Sequence, residues 1–235
     1  MKRFAVILLA ILLCMCAQSD IKQKVIDSLE KVRTYGFRLE VVSNTSLGNV
    51  TMSSISNSTG VIDLVNKTLH MNTTTVVDRF GFKHTSKTET FVFNDTAYVR
   101  VHTKNGTKLI KTNVSEDFWR RSNSMEQLIE LLKISKVTNV SSGVVGGVEC
   151  YVLNLKPNVK KLSQKSTSLL KEIHVKLFVS KKTFYPVKAE VTSVVETPMT
   201  ISMGSLKGNV SVVHRIKTVE YFYDINEPVK VEMPR

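Results

Sequence analysis

Disulfide bracing is the first thing this 235-residue chain lacks: it has three cysteines, and two of them, Cys14 and Cys16, fall in an N-terminal apolar run. Cys150 is the one thiol left for a folded part, so no intrachain disulfide can form there and the fold must stand on its core. In the apolar stretch Val148 to Leu155, a lone cysteine reads as a small buried hydrophobe. Acidic residues are scarce as well, 20 against 33 Lys plus Arg, which gives a net charge of +13. Without Lys2 and Arg3 the balance is 13 − 2, still +11. These cations are scattered, and no zinc finger, RNP motif or basic helix accompanies them. That argues against nucleic acid as a partner and for a surface that can rest against anionic lipid headgroups. There are only five prolines, and no Pro/Ser/Gly-rich linker divides the chain, so residues 20–235 are expected to form a single domain, with 42% apolar residues to build its core.

Catalytic constellations are missing too. His70, His84, His102, His174 and His214 are isolated, with no partner His at i+4 and no cysteine pair, which argues against a metal site. Gly143-Val144-Val145-Gly146-Gly147 lacks the Lys-Ser/Thr and helix of a phosphate loop and reads as a turn between strands. Ser205 follows Gly204 without the spacing of a nucleophile elbow. No enzymatic activity, metal or cofactor is expected.

What the chain has in excess is Asn-x-Ser/Thr. The ten acceptors are Asn44, Asn49, Asn57, Asn66, Asn72, Asn94, Asn105, Asn113, Asn139 and Asn209. With 14 Asn, and with Ser plus Thr at 45 of 235 residues, chance would supply roughly three. Glycosylation occurs outside the cytosol and holds its Asn on the wet surface, so the surplus implies an extracytoplasmic protein. The N-terminus agrees: Lys2 and Arg3 precede Phe4 to Ala17, an apolar run of secretory length and too short for a membrane span. Residues 1–19 are expected to be a leader with one of two endings. Ala17-Gln18-Ser19 suits cleavage to a secreted protein, whereas Leu13-Cys14-Met15-Cys16 resembles a lipobox with Cys16 lipidated at the outer face of the membrane.

Beyond the leader, Asp20 to Arg33 reads as an amphipathic helix through Ile21, Val25, Leu29 and Val32, with Gly36 just past its end. From Phe37 the period becomes two. Phe37, Leu39, Val50 and Met52 are expected to point inward, because Asn49 and Thr51 share the opposite, glycan-bearing face. Three hairpins follow. A loop at Asn66-Lys67 would pair Leu64 with Leu69 and Ile62 with Met71. One at Asn94-Asp95 would pair Phe91 with Tyr98, Val92 with Ala97 and Glu89 with Arg100. Asn105-Gly106 would pair Val101 with Ile110 and Arg100 with Lys111. Val92, Ala97, Val99, Val101 and Ile110 then share one face; which face is more buried stays open. Ser122 to Lys133 is a helix with a broad apolar stripe, capped by Ser122 or Ser124. Val148 to Leu155 is a strand, Val159 to Lys171 a polar helix, and His174 to Val179, Pro186 to Val195 and Asn209 to Tyr223 are strands. The fold class is α+β, a long antiparallel sheet with a few helices over one face.

The order of elements resembles the LolA-like superfamily of lipoprotein carriers, the group that includes LppX- and LprG-like proteins. The matching residues are Tyr35-Gly36-Phe37; Phe118-Trp119 before Leu128 to Leu132; Gly147 to Leu153; Val179 to Val187 with Phe184-Tyr185-Pro186; and Phe222 to Pro228 followed by Met233-Pro234. The resemblance covers about residues 20 to 235. It implies a curved half-barrel sheet wrapped over helices, with an apolar cavity for the acyl chains of lipids or lipoproteins and no catalytic residues. Set beside the bacterial carriers, the sequon load suggests an archaeal cell surface. The expected cavity lies between the first strands, carrying Phe37, Leu39, Val50, Met52, Ile62, Leu64, Leu69 and Met71, and the helix bearing Leu128, Leu131 and Leu132. The other reading is an envelope sensor or structural domain with a filled core.

Overall fold

Period-two alternation dominates the chain, and all of it goes into one sheet. The computed structural model describes residues 20–103, 106–115, 117–163, 169–203 and 206–233, with backbone only at 163, 201–203 and 206–209. Helix α1 (residues 20–29) leads into β1 (Thr34–Leu47), β2 (Val50–Asp63), β3 (Thr68–Arg79), β4 (Phe82–Phe93), β5 (Thr96–Thr103) and β6 (Gly106–Asn113). Helices α2 (Phe118–Ser122) and α3 (Ser124–Ile134) follow, then β7 (Ser135–Val145), β8 (Val148–Pro157), α4 (Val159–Ser163), β9 (Leu169–Ser180), β10 (Pro186–Met203) and β11 (Leu206–Tyr223). The strand order is β6-β5-β4-β3-β2-β1-β11-β10-β9-β8-β7.

The sheet is curved and not closed, with β6 and β7 as its edges. Its two meanders, β1 to β6 and β7 to β11, meet at the antiparallel β1–β11 pair. To pass from β6 to β7 the chain must cross the whole sheet, and α2 and α3 make that crossing on the concave face. At one end of the sheet the strand residues facing them are mostly large and apolar. Tyr35, Phe37, Ile62, Leu69, Val92, Ala97, Leu153, Leu177, Ala189 and Phe222 pack with Val25, Ile26 and Leu29 of α1 and Met125, Leu128 and Leu132 of α3. Burial of this kind supplies about 25 cal/mol per Å² of apolar surface and is what holds a disulfide-free fold together.

Polar bonds fix the helices to that end. Asn123 caps α3, its side chain accepting from the N–H groups of Met125 (3.1 Å) and Glu126 (3.4 Å). Ser124 N–H donates to the Tyr35 hydroxyl at 3.0 Å, and Lys22 Nζ in α1 donates to the Ser135 carbonyl at 2.8 Å. The closing loop locks the α1–β1 junction: Asn226, at φ 64°, accepts from Arg33 N–H at 2.7 Å and donates to the Tyr185 hydroxyl at 3.0 Å. Gly60 is required by close approach, since a Cβ there would lie 2.4 Å from the His70 carbonyl oxygen.

The helices are too short for the strands they cover. Eleven residues of α3 extend about 16 Å at 1.5 Å per residue, whereas fourteen of β1 extend about 46 Å at roughly 3.3 Å. The far half of the concave face therefore runs beyond the helices, and its residues change character. On β2, β3 and β4, Ser54, Ser56, Ser58, Thr73, Thr75 and Thr88 replace the large hydrophobes, and Ser56–Thr75 (3.1 Å) and Ser58–Thr73 (2.9 Å) are hydrogen-bonded across β2 and β3.

The hairpin expectations fare unequally. The Asn94 hairpin has the expected register, with Phe91 opposite Tyr98, Val92 opposite Ala97 and Glu89 opposite Arg100. At Asn66 the pairing is offset by two: Ile62 faces Leu69 and Gly60 faces Met71. The cause is the buried Asp63 carboxylate, which accepts from the N–H groups of Val65 and Asn66 (both 2.9 Å) and from Asn66 Nδ2 (2.7 Å), building a four-residue turn. The third hairpin is also offset by two. Thr103 pairs with Gly106, Val101 with Lys108 and Val99 with Ile110, while Asn105 itself lies outside the described residues. An offset of two preserves every face, so Val92, Ala97, Val99, Val101 and Ile110 do share one, and it is the concave one. The polar helix expected from Val159 to Lys171 is shorter: α4 is described only to Ser163, and Leu169–Lys171 already belong to β9. The leucine-rich helix starts at Ser124 and not at Ser122, because Asn123 offers the better cap geometry and a separate short helix precedes it.

Candidate functional site: a groove beneath the third helix

Strand-period residues of β10 and β11 reach the concave face beside the buried core and meet α3 incompletely. Ala189 and Val191 of β10 and Thr218 and Glu220 of β11 form a floor, and Leu128, Leu131 and Ile134 of α3 form one wall. Leu162 and Lys161 of α4 close the far side, while Arg120 of α2, with Glu130 and Lys133 of α3, stands at the mouth. The space enclosed is about 780 Å³ and opens to solvent, within the range of small-molecule sites.

One ionisable group lies on the floor. Burial pushes the Glu220 carboxyl up to about 7, its one hydrogen-bonding neighbour, Ser124 Oγ, donating at 2.8 Å. Desolvation costs the charged form more than a single hydroxyl returns. Burial also raises the Tyr35 phenol well above its ordinary value, with Glu220 adding to the effect. A groove with apolar walls, a carboxyl that titrates about neutrality on its floor and cations at its mouth can hold an apolar chain and share a hydrogen bond with a polar group on it.

Of the eleven residues expected to line a cavity, Leu128 and Leu131 line this one. Phe37, Ile62, Leu69 and Leu132 sit in the closed core, and Leu39, Leu64 and Met71 pack against it. Val50 and Met52 lie at the distal end of β2, Val50 40% exposed. Sequence reasoning missed the floor. Its signal is there, since Phe222, Glu220 and Thr218 alternate along β11 and a lone acid at an inward position marks a polar group beneath a helix. The assignment of β11 beside β1 was needed to read it.

The eight sequon asparagines whose side chains are described, Asn44, Asn49, Asn57, Asn66, Asn72, Asn94, Asn113 and Asn139, are all exposed. Asn49, Asn66 and Asn94 sit in turns, and the strand-borne five fall on the convex face by register. Asn105, the side chain of Asn209, and the leader with Cys16 lie outside the described residues. Cys150 is buried and bonded to the Val148 carbonyl, its thiol pushed up by burial. His70 contacts Glu89 Oε1 at 3.0 Å and stacks on Phe91, His214 meets Thr45, and His102 meets Thr107. Among the described residues no three His, Cys, Asp or Glu side chains gather as a metal site would need, and no helix is long and apolar enough to cross a membrane.

No family model and no curated protein matches the chain. Solved structures do. LprF from Mycobacterium bovis aligns with a TM-score of 0.52 at 11% identity, covering 93% of this chain and 97% of LprF. The lipoprotein LppX from Mycobacterium tuberculosis aligns at 0.48 with 12% identity, covering 92% and 98%. The LprF match extends over nearly the whole described chain, and the two share a fold, the LolA-like arrangement of a curved sheet over helices.

Proposed function

We propose that this LolA-like fold works as a non-catalytic lipid-binding protein outside the cytoplasm, holding the acyl chain of a lipid or lipoprotein in the groove beneath α3. The observation that carries the reading is the open apolar space of about 780 Å³ between α3 and the β10–β11 floor, left where short helices fail to fill a long concave sheet. Each methylene of a bound chain gains about 0.8 kcal/mol, so a chain of about 16 carbons has roughly 12 kcal/mol of gross driving force before ordering costs. The eight described sequon asparagines, all in turns or on the convex face, support the extracytoplasmic part, since glycans there would leave the groove open. Whether the leader ends in a lipidated Cys16 or is cleaved after Ser19 is decided by intact mass and by detergent partitioning of the secreted protein.

Uptake of a fluorescent fatty acid or phospholipid tests the groove. Val191→Trp, on the floor, should abolish uptake while the thermal midpoint changes little, because the indole occupies space that is empty in the free protein. Val50→Trp, at the distal tip, should leave uptake intact. If the parent chain takes up no lipid, or Val191→Trp changes nothing, the envelope-scaffold reading replaces this one; it draws on the closed core around Phe37, Ile62, Leu69 and Leu132.

A further inference from the structure

The most anomalous surface in the molecule is far from the groove, at the tip of the β3–β4 hairpin. Arg79 ends β3 and Phe82 begins β4, so the turn between them is just Phe80-Gly81. A two-residue hairpin turn of type I′ needs positive φ at both positions and is ordinarily built from Asn, Asp or Gly. Here Phe80 takes φ 54° and Gly81 φ 81°. A bulky side chain at positive φ is strained, and such strain is normally repaid by packing or by function. Packing does not repay it, because Phe80 is 72% exposed and its neighbour Phe82 is 81% exposed. The turn is nonetheless held firmly, with Asp78 Oδ1 accepting from Gly81 N–H at 3.1 Å.

Charge decides what this rigid aromatic finger fits. Arg79, Lys83 and Lys87 are exposed on the same hairpin, Asp78 is its one acid from Thr73 to Thr88, and the adjoining stretch of β2, Val50 to Asn57, carries no charge. Two aromatic side chains at one hairpin tip are far too small for a stable protein interface, which buries about 1,200–2,000 Å² in total. A bilayer needs only shallow burial of apolar side chains next to cations that meet anionic headgroups. We propose that the Phe80–Phe82 hairpin is a membrane-contact finger that inserts into the headgroup–acyl boundary of an anionic lipid surface, with Arg79 and Lys83 on the lipid phosphates. The contact is shallow and confined to one hairpin, because Asn49 occupies the tip of the neighbouring β1–β2 hairpin and a glycan there stays in water. This inference does not depend on what the groove holds.

The test reads insertion itself, so that a lipid anchor elsewhere cannot mimic it. In the full chain, Phe82→Trp is mixed with vesicles of phosphatidylcholine and phosphatidylglycerol and compared with the parent, whose one indole is Trp119. The introduced indole should shift to the blue and be quenched by brominated acyl chains, and Trp119 of the parent should not. On the same vesicles, Phe80→Asp with Phe82→Asp should lower affinity more than tenfold in a chain lacking an anchor, or abolish quenching-depth contact in an anchored one. Arg79→Glu with Lys83→Glu should remove the preference for anionic over neutral vesicles. Phe80→Asn should raise the thermal midpoint by relieving the turn while weakening vesicle contact, the trade a functional strain predicts. The proposal is overturned if the introduced indole stays water-exposed and unquenched with the protein on vesicles, or if the double aspartate variant contacts them like the parent.

Discussion

The two halves of the concave face are made by the same strands and obey opposite rules. At the helix-covered end Phe37, Ile62, Leu69 and Val92 face inward; farther along, the same faces of β2 and β3 present Ser54, Ser56, Thr73 and Thr75. What differs is the cover. Where α1 and α3 lie over the sheet, large apolar side chains bury themselves; where the helices have ended, water reaches the same face and hydroxyls pair across strands. Alternation along a strand therefore reports which residues share a face, and the chemistry of that face reports how far the covering layer extends. The groove lies at the frontier, where Leu128, Leu131 and Ile134 of α3 and Val191 and Thr218 of the sheet line an open space.

The widest separation between the halves should come from deleting side chains. Leu132→Ala in the covered half is expected to cost about 3–4 kcal/mol in urea unfolding, from lost transfer energy plus the cavity left behind. Ser56→Ala in the open half, where water can replace the Thr75 partner, is expected to stay within about 0.5 kcal/mol. Equal losses at the two sites would break the comparison.

Glu220 sharpens it next, as the acid placed on the frontier. Its carboxyl is raised from 4.5 to about 7, so below about pH 4.5 it is neutral in both folded and unfolded chains and costs nothing. Between pH 4.5 and 7 the unfolded chain loses its proton while the folded one keeps it, and stability falls by up to about 3 kcal/mol, with no further change above. Glu220→Gln should flatten that slope; urea midpoints at pH 5 and pH 8 for the parent and the variant measure it. A parent slope unchanged by the substitution would mean that the carboxyl is wetter than its surroundings indicate.

The smallest of these effects concerns the edge of the cover. Asn123→Ala removes the two hydrogen bonds that start α3 and should cost about 1 kcal/mol. Asn123→Asp should restore most of it, because a carboxylate caps as well and favours the helix N-terminus. If the cap matters as proposed, lipid uptake weakens together with stability in the alanine variant, since α3 is the wall of the groove.

Local chemistry made much of this legible in advance. The Asn94 hairpin came out in register because Asn tolerates the φ of 54° that it adopts, and the apolar residues on either side pair in only one way. The Asn66 hairpin came out two residues off because the Asp63 side chain, whose reach no pairing rule includes, built a longer turn. Faces survived both errors, since side-chain direction repeats every two residues. The proposed groove was the least legible part. The helix stripe marks Leu128 and Leu131, which line it, but the strands expected opposite them are β1–β3, whereas the floor of the groove is Ala189, Val191, Thr218 and Glu220.

By itself the sequence indicated most of the strands and helices, which of their residues share a face, where the sequons fall and that no disulfide holds the domain, because each of these depends on neighbours a few positions apart. Tertiary structure alone decided that β11 lies beside β1, that α3 overhangs β10 and β11, and that Glu220 is desolvated. Those outcomes require groups about a hundred residues apart, such as Ser124 and Glu220, to be brought within hydrogen-bonding distance, and no local pattern encodes which of several apolar faces a short helix will cover.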